Sequence, residues 1–172
     1  VNYNRQSLPA IKKLKSIILN DRNFFKGKIV YPRGVINSCS HFLQLFLYLF
    51  GNFEKLYNKD DKKFFKSKNF SDFNRSFSVK FKKAHINFEP SKKKSKGYLI
   101  KLHNKTKMIT WKSKSKISIN DRKKTLNIES GMKIFQKYVY QELAKVGKQR
   151  KINLCSVEDA IKVLKLIKMI SR

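Results

Sequence analysis

The chain is 172 residues long and 41% apolar, with 41 Lys and Arg against 11 Asp and Glu, a net charge of +30 at pH 7. That length suits one domain whose core buries roughly 70% of the unfolded surface, but small soluble domains ordinarily hold a net charge of magnitude about 2–8, so self-repulsion here calls for an anionic partner. Two cysteines, Cys39 and Cys155, exclude a disulfide framework, and no run approaches the about 18–20 consecutive apolar residues of a membrane-spanning helix.

The amino-terminal stretch VNYNRQSLPAIKKLKSIILN places Leu8, Ile11, Leu14 and Ile18 at helical spacing and predicts a helix over 8–20, capped by Ser7 with Pro9 in its first turn. It is basic and free of acids up to Asp21, yet Lys-rich rather than Arg- and Ser-rich, so it reads as a retained helix rather than a transit peptide. Gly27, Pro32 and Gly34 mark a short connection. Residues 38–57 read as one helix, apolar nearly all round from Phe42 to Phe50 and therefore central to the core or to an interface, with Gly51 as a kink or stop. Residues 60–75 read as a loop-like extension tacked down by Phe64, Phe65, Phe70 and Phe73.

Period-two alternation begins at 76–82, where Phe77, Val79 and Phe81 share a face, and recurs at 85–89 through Ile86 and Phe88, closed by Pro90. Residues 90–97 read as a basic loop. Strands over 98–103 and 106–112 form a hairpin if Asn104-Lys105 is a two-residue turn. That register opposes Tyr98 to Trp111 and Ile100 to Ile109, and it gathers Tyr98, Ile100, Leu102, Ile109 and Trp111 on one face. A short strand at 116–119, a helix over 129–146, a buried strand at 152–155 and a helix over 157–170 complete the reading. The last helix starts at a capping box, Ser156 to Asp159, and turns Val157, Ile161, Leu164 and Ile167 inward. The fold class is α+β with a largely antiparallel sheet, a single domain over 1–172 with basic extensions.

The chemistry lies in charge. Between residues 91 and 124 stand Lys92, Lys93, Lys94, Lys96, Lys101, Lys105, Lys107, Lys112, Lys114, Lys116, Arg122, Lys123 and Lys124, opposed only by Asp121. Lysine is a compact, flexible point charge suited to phosphates rather than to reading bases, so these residues are the candidate RNA-binding set. Phe64, Phe65, Phe70 and Phe73, set among lysines, are candidates for stacking on unpaired bases. Cys39 and His41 form a C-x-H pair, but without CxxC or HxxxH spacing a buried thiol is favoured over a metal ligand. The sequence contains no P-loop, no GxGxxG and no nucleophile elbow, so neither metal, cofactor nor enzymatic activity is expected.

Basic, aromatic-rich and biased toward Lys and Asn, the chain resembles in overall character an organellar ribosomal protein of a mitochondrion with an AT-rich genome. The resemblance implies a structural role in the mitochondrial matrix, with rRNA and neighbouring ribosomal proteins as partners and no small-molecule substrate. The rival expectation is a basic accessory subunit of an organellar respiratory-chain complex, its lysines meeting anionic lipid. A nucleic-acid-processing factor is disfavoured by the lack of an acidic metal cluster.

Overall fold

A strand that sequence reading took for a connection organises the molecule. In the computed structural model, which describes residues 5–32, 34–67, 70–91, 97–112, 116–120, 124–128, 132–145 and 154–172, the segment Phe25–Tyr31 is strand β1. Its burial alternates, with Phe25, Gly27, Ile29 and Tyr31 inward and Lys26 and Lys28 outward. It follows helix α1 (Pro9–Leu19), which buries Ile11, Leu14 and Ile18 as the spacing required.

Beyond β1 a π-helical turn, Val35–Cys39, leads into helix α2 (Ser40–Phe50). This helix is the apolar one expected, but it is shorter than the span 38–57. Gly51 ends it at φ 83°, a left-handed conformation costly for any residue with a Cβ. The chain then turns back as strand β2 (Phe53–Asn58). Residues 60–75 are likewise more ordered than a loop, forming a hairpin of β3 (Lys63–Ser67) and β4 (Phe70–Asn74).

Strands β5 (Phe77–Phe81), β6 (Ala84–Pro90), β7 (Leu99–His103), β8 (Met108–Lys112), β9 (Ile117–Ile119) and β10 (Lys124–Leu126) follow. The main sheet runs β10-β9-β8-β7-β1-β6-β5-β2. Every neighbouring pair is antiparallel except β1 with β6, so the expected α+β class with a largely antiparallel sheet holds. Helices α3 (Met132–Leu143) and α4 (Val157–Ile170) complete the fold.

The β7–β8 hairpin has the anticipated faces in a register moved by two residues. Ile100 pairs with Trp111 and Leu102 with Ile109, so the loop is Asn104–Lys107 rather than a two-residue turn. Asn104 Oδ1 accepts hydrogen bonds from the amides of Thr106 (2.9 Å) and Lys107 (2.7 Å), which makes the longer loop self-supporting. A shift of two keeps each side chain on its face, because side chains alternate with period two.

One face of the sheet carries the core. Phe46 on α2 lies 6.2 Å from Phe81 and 5.7 Å from Phe88, and Phe77 stacks on Phe88 at 4.7 Å between ring centroids. Each fully buried ring of this kind contributes roughly 1.5–3 kcal/mol over its exposed state. Ser156 caps α4 through its Oγ, which accepts from the Asp159 amide at 3.1 Å. The helix is nonetheless rotated from the expected orientation: Val163, Leu166 and Ile170 are buried, whereas Val157, Ile161 and Leu164 are exposed. The strand expected at 152–155 does not continue through Leu154 and Cys155, which are irregular; 152 and 153 lie outside the described residues.

Candidate active site

At the end of the sheet where β1 finishes and β7 begins, a cation is held among aromatic rings. Arg5 lies in a short 3-10 turn, Arg5–Ser7, just ahead of α1. Its guanidinium carbon is 4.9 Å from the centroid of Phe42, 5.1 Å from Tyr98 and 6.0 Å from Trp111. The rings brace one another, Phe42 meeting Tyr98 edge-on at 4.9 Å and Tyr98 meeting Trp111 at 5.4 Å. Such cation–π contacts strengthen as the cation is desolvated.

His41, the second residue of α2, stands beside this cluster, partly buried. Burial first, and then the charge of Arg5, hold its imidazole below the ordinary range, so it is neutral at pH 7. Tyr98 is pushed upward by burial, although Arg5 works in the opposite direction. The site thus pairs a neutral imidazole, able to take or give one proton, with a fixed cation able to hold an anionic group.

The turn that delivers His41 is pinned from the β3–β4 hairpin. Asp72 accepts from the amides of Ile36 (2.9 Å) and Asn37 (3.0 Å), and Asn74 accepts from the Gly34 amide at 2.9 Å. A buried carboxylate therefore already fills the place at this helix start where a ligand phosphate would otherwise sit. Gly34 itself has φ 103°, and a Cβ there would collide with the Asp72 carboxylate.

The described members of the candidate RNA-binding set are spread over different parts of the sheet. Lys101 and Lys112 lie on the sheet face away from the helices, Lys105 and Lys107 in the β7–β8 loop, and Lys116 and Lys124 at the far edge of the sheet. Lys107 is engaged by Asp21 at 2.5 Å. Lys92, Lys93, Lys94, Lys96, Lys114, Arg122 and Lys123 lie outside the described residues. Of the aromatic candidates Phe73 is buried, while Phe64 is exposed with its ring 5.9 Å from that of Phe73. Cys39 is fully buried, its thiol raised by burial and then by Asp72. Among the described residues no trio of His, Cys, Asp or Glu could hold a metal ion, and no helix is long and apolar enough to cross a membrane.

The fold is similar to that of several solved structures. An NAD-binding oxidoreductase from Klebsiella pneumoniae is similar, with a TM-score of 0.75 and 13% identity, over 99% of this chain and 62% of that one. An oxidoreductase from Thermotoga maritima is similar with a TM-score of 0.69 and 17% identity, over 100% and 59% of the two chains. An oxidoreductase from Agrobacterium radiobacter, solved with NAD+, L-tartaric acid and magnesium, is similar with a TM-score of 0.64 and 12% identity, over 98% and 61%. The likeness is to oxidoreductases. The chain spans about three-fifths of the length of these proteins. The sequence matches no family model and no curated protein.

This likeness corrects the expectation of a ribosomal protein with rRNA and ribosomal partners, and the membrane-complex alternative is equally unsupported. It also overturns the expectations of no enzymatic activity and of no small-molecule substrate, since the similar proteins are oxidoreductases and one was solved with two small organic ligands. The physical reason is that net charge sets the sign of a preferred partner and not its identity. Arg5 and His41 escaped notice because residues 5, 41, 98 and 111 meet only through the fold. His41 entered the sequence reading only as one half of the C-x-H pair, weighed as a metal ligand and set aside in favour of a buried thiol.

Proposed function

We propose that these residues form the substrate-side part of an oxidoreductase acting on a hydroxylated, acid-bearing small molecule. The observation that carries the reading is the fold likeness over nearly the whole chain to enzymes of that class, one of them solved with a hydroxy acid. A nicotinamide dinucleotide, when bound, supplies the hydride acceptor in such chemistry. Its phosphates do not fit the strand-to-helix turn after β1, where Asp72 already takes the helix-start amides, and the sequence has no GxGxxG. No step is therefore derived through that group.

The chain's own contribution is proton transfer and orientation. Oxidation of a carbinol needs a base for the hydroxyl proton, and the neutral imidazole of His41 is suited to take it at pH 7. Arg5, held by Phe42, Tyr98 and Trp111, is placed to orient a carboxylate of the substrate beside His41.

The test is a dinucleotide-linked assay of the native protein against a panel of polyols, sugar acids and 2-hydroxy acids. Turnover with hydroxy acids, with KM raised by Arg5→Met, supports the reading. Absence of dinucleotide-dependent turnover across the panel contradicts it.

A further inference from the structure

The sheet face away from the helices carries side chains that repel one another. The strand register places Lys26 of β1 between His85 of β6 and His103 of β7. Two residues along, Lys28 stands between Asn87 and Lys101. With strands about 4.8 Å apart and alternate residues about 7 Å apart, these six side chains make a two-by-three grid roughly 10 Å wide. Lys28 and Lys101 are directly opposed, an arrangement of like charges that destabilises a sheet. The pattern continues outward, where Lys80 faces both Lys55 and His85.

These cations are only partly neutralised by the protein. Glu89 pairs with Lys28 at 2.6 Å and Glu54 with Lys80 at 2.9 Å. Lys26, in the middle of its row, and Lys101, diagonally across from it on the neighbouring strand and about 8 Å away along the sheet, form no ion pair among the described residues. The Nε2 of His85 is buried and has no hydrogen-bond partner. The same six side chains, with the backbone of Gly27, line a depression of about 350 Å³.

We propose that this depression binds a small molecule bearing a diphosphate group. Lysine ammonium groups are point-charge phosphate ligands, and the two unpaired ones lie far enough apart to take one phosphate each. The imidazoles of His85 and His103 and the amide of Asn87 supply directional donors beside them. Glu89 and Glu54 interrupt the positive field along the sheet, so the site suits a compact anion rather than a continuous polymer. Burial, and then Lys59, Lys26 and Lys80, disfavour the charged form of His85, and a bound anion opposes the part due to the lysines. The site lies on the opposite face of the sheet from His41 and does not depend on the oxidoreductase reading.

The probe is inorganic pyrophosphate, titrated calorimetrically into the 172-residue chain at low salt, with the histidine resonances followed in parallel. We expect saturation at a single site, movement of the His85 and His103 resonances, and at least about tenfold weaker binding for the pair Lys26→Gln, Lys101→Gln. A control pair of equal charge change on α4, Lys165→Gln with Lys168→Gln, should alter affinity by no more than about twofold. Equal weakening by both pairs would mean that net charge alone attracts the anion, and would overturn the proposal. So would the absence of saturable binding, or binding of a single-stranded RNA oligomer with none of pyrophosphate.

Discussion

Replacing Asp21 with Ala should destabilise the protein by about 3 kcal/mol and separate the β7–β8 loop from the start of β1. Asp21 is buried between α1 and β1 and receives Lys107 Nζ at 2.5 Å, Asn104 Nδ2 at 2.9 Å, the Asn23 amide at 2.9 Å, Asn23 Nδ2 at 3.0 Å and Thr106 Oγ1 at 3.4 Å. Hydrogen bonds to a charged group each contribute about 1.5–3 kcal/mol. The Asn23 bonds are local and Lys107 can return to water, its side chain being 28% exposed, so the bonds to Asn104 and Lys107 dominate and the lower part of that range applies. For a domain of this size a loss of about 3 kcal/mol lowers Tm by roughly 6–12 °C.

Urea denaturation of wild type and Asp21→Ala, compared at constant m-value, reads the difference directly. The pH dependence gives a second reading. Lys107 first, then Asn104 and the Asn23 amide, hold the Asp21 carboxyl well below the ordinary carboxylate range, against the opposing effect of burial. A group whose pKa is depressed in the folded state stabilises above its unfolded pKa of about 3.9 and loses that contribution as pH falls further, through the folded value. The gap between wild type and variant should therefore be full at pH 6 and narrow below about pH 4. A gap under about 1 kcal/mol at neutral pH, or one indifferent to acid, would refute the reasoning.

Other perturbations test other parts of the fold. Gly27→Ala should cost about 2–3 kcal/mol by thermal or urea melting, because a Cβ there would stand 2.5 Å from Leu102 Cδ2 and 2.7 Å from the Lys101 carbonyl, between two paired strands. On α4, Leu166→Ala should cost about 2–5 kcal/mol while Leu164→Gln, on the exposed face, changes stability by no more than about 0.5 kcal/mol. A larger cost at Leu164 than at Leu166 would show that the helix is turned as its sequence first suggested.

The class of the fold was legible because strand and helix periods differ, and the inward face of the β7–β8 hairpin could be read without its exact turn. What escaped has physical causes. In FKGKIVY the glycine resembles a break, yet it is there because β6 and β7 press on both sides of β1. Apolar residues recur past Gly51 at Phe53, Leu56 and Tyr57, so only a backbone angle marks where helix becomes strand. The last helix carries two apolar stripes, Val157-Ile161-Leu164 and Val163-Leu166-Ile170, and amphipathicity cannot choose between them. For the site, the lysines declared a preference for anions but not which anion, and the Arg5 cluster is assembled from residues far apart in the chain.

The most direct test of the functional account is the pH dependence of kcat/KM for the native protein beside His41→Asn. The account predicts an acidic limb that falls below an apparent pKa under the ordinary imidazole range, because His41 must be neutral to accept the substrate proton. In the variant that limb should vanish and kcat should fall by about 10²–10⁴-fold, with KM little changed. An unaltered profile with activity retained would place the proton transfer elsewhere and contradict the assignment of His41.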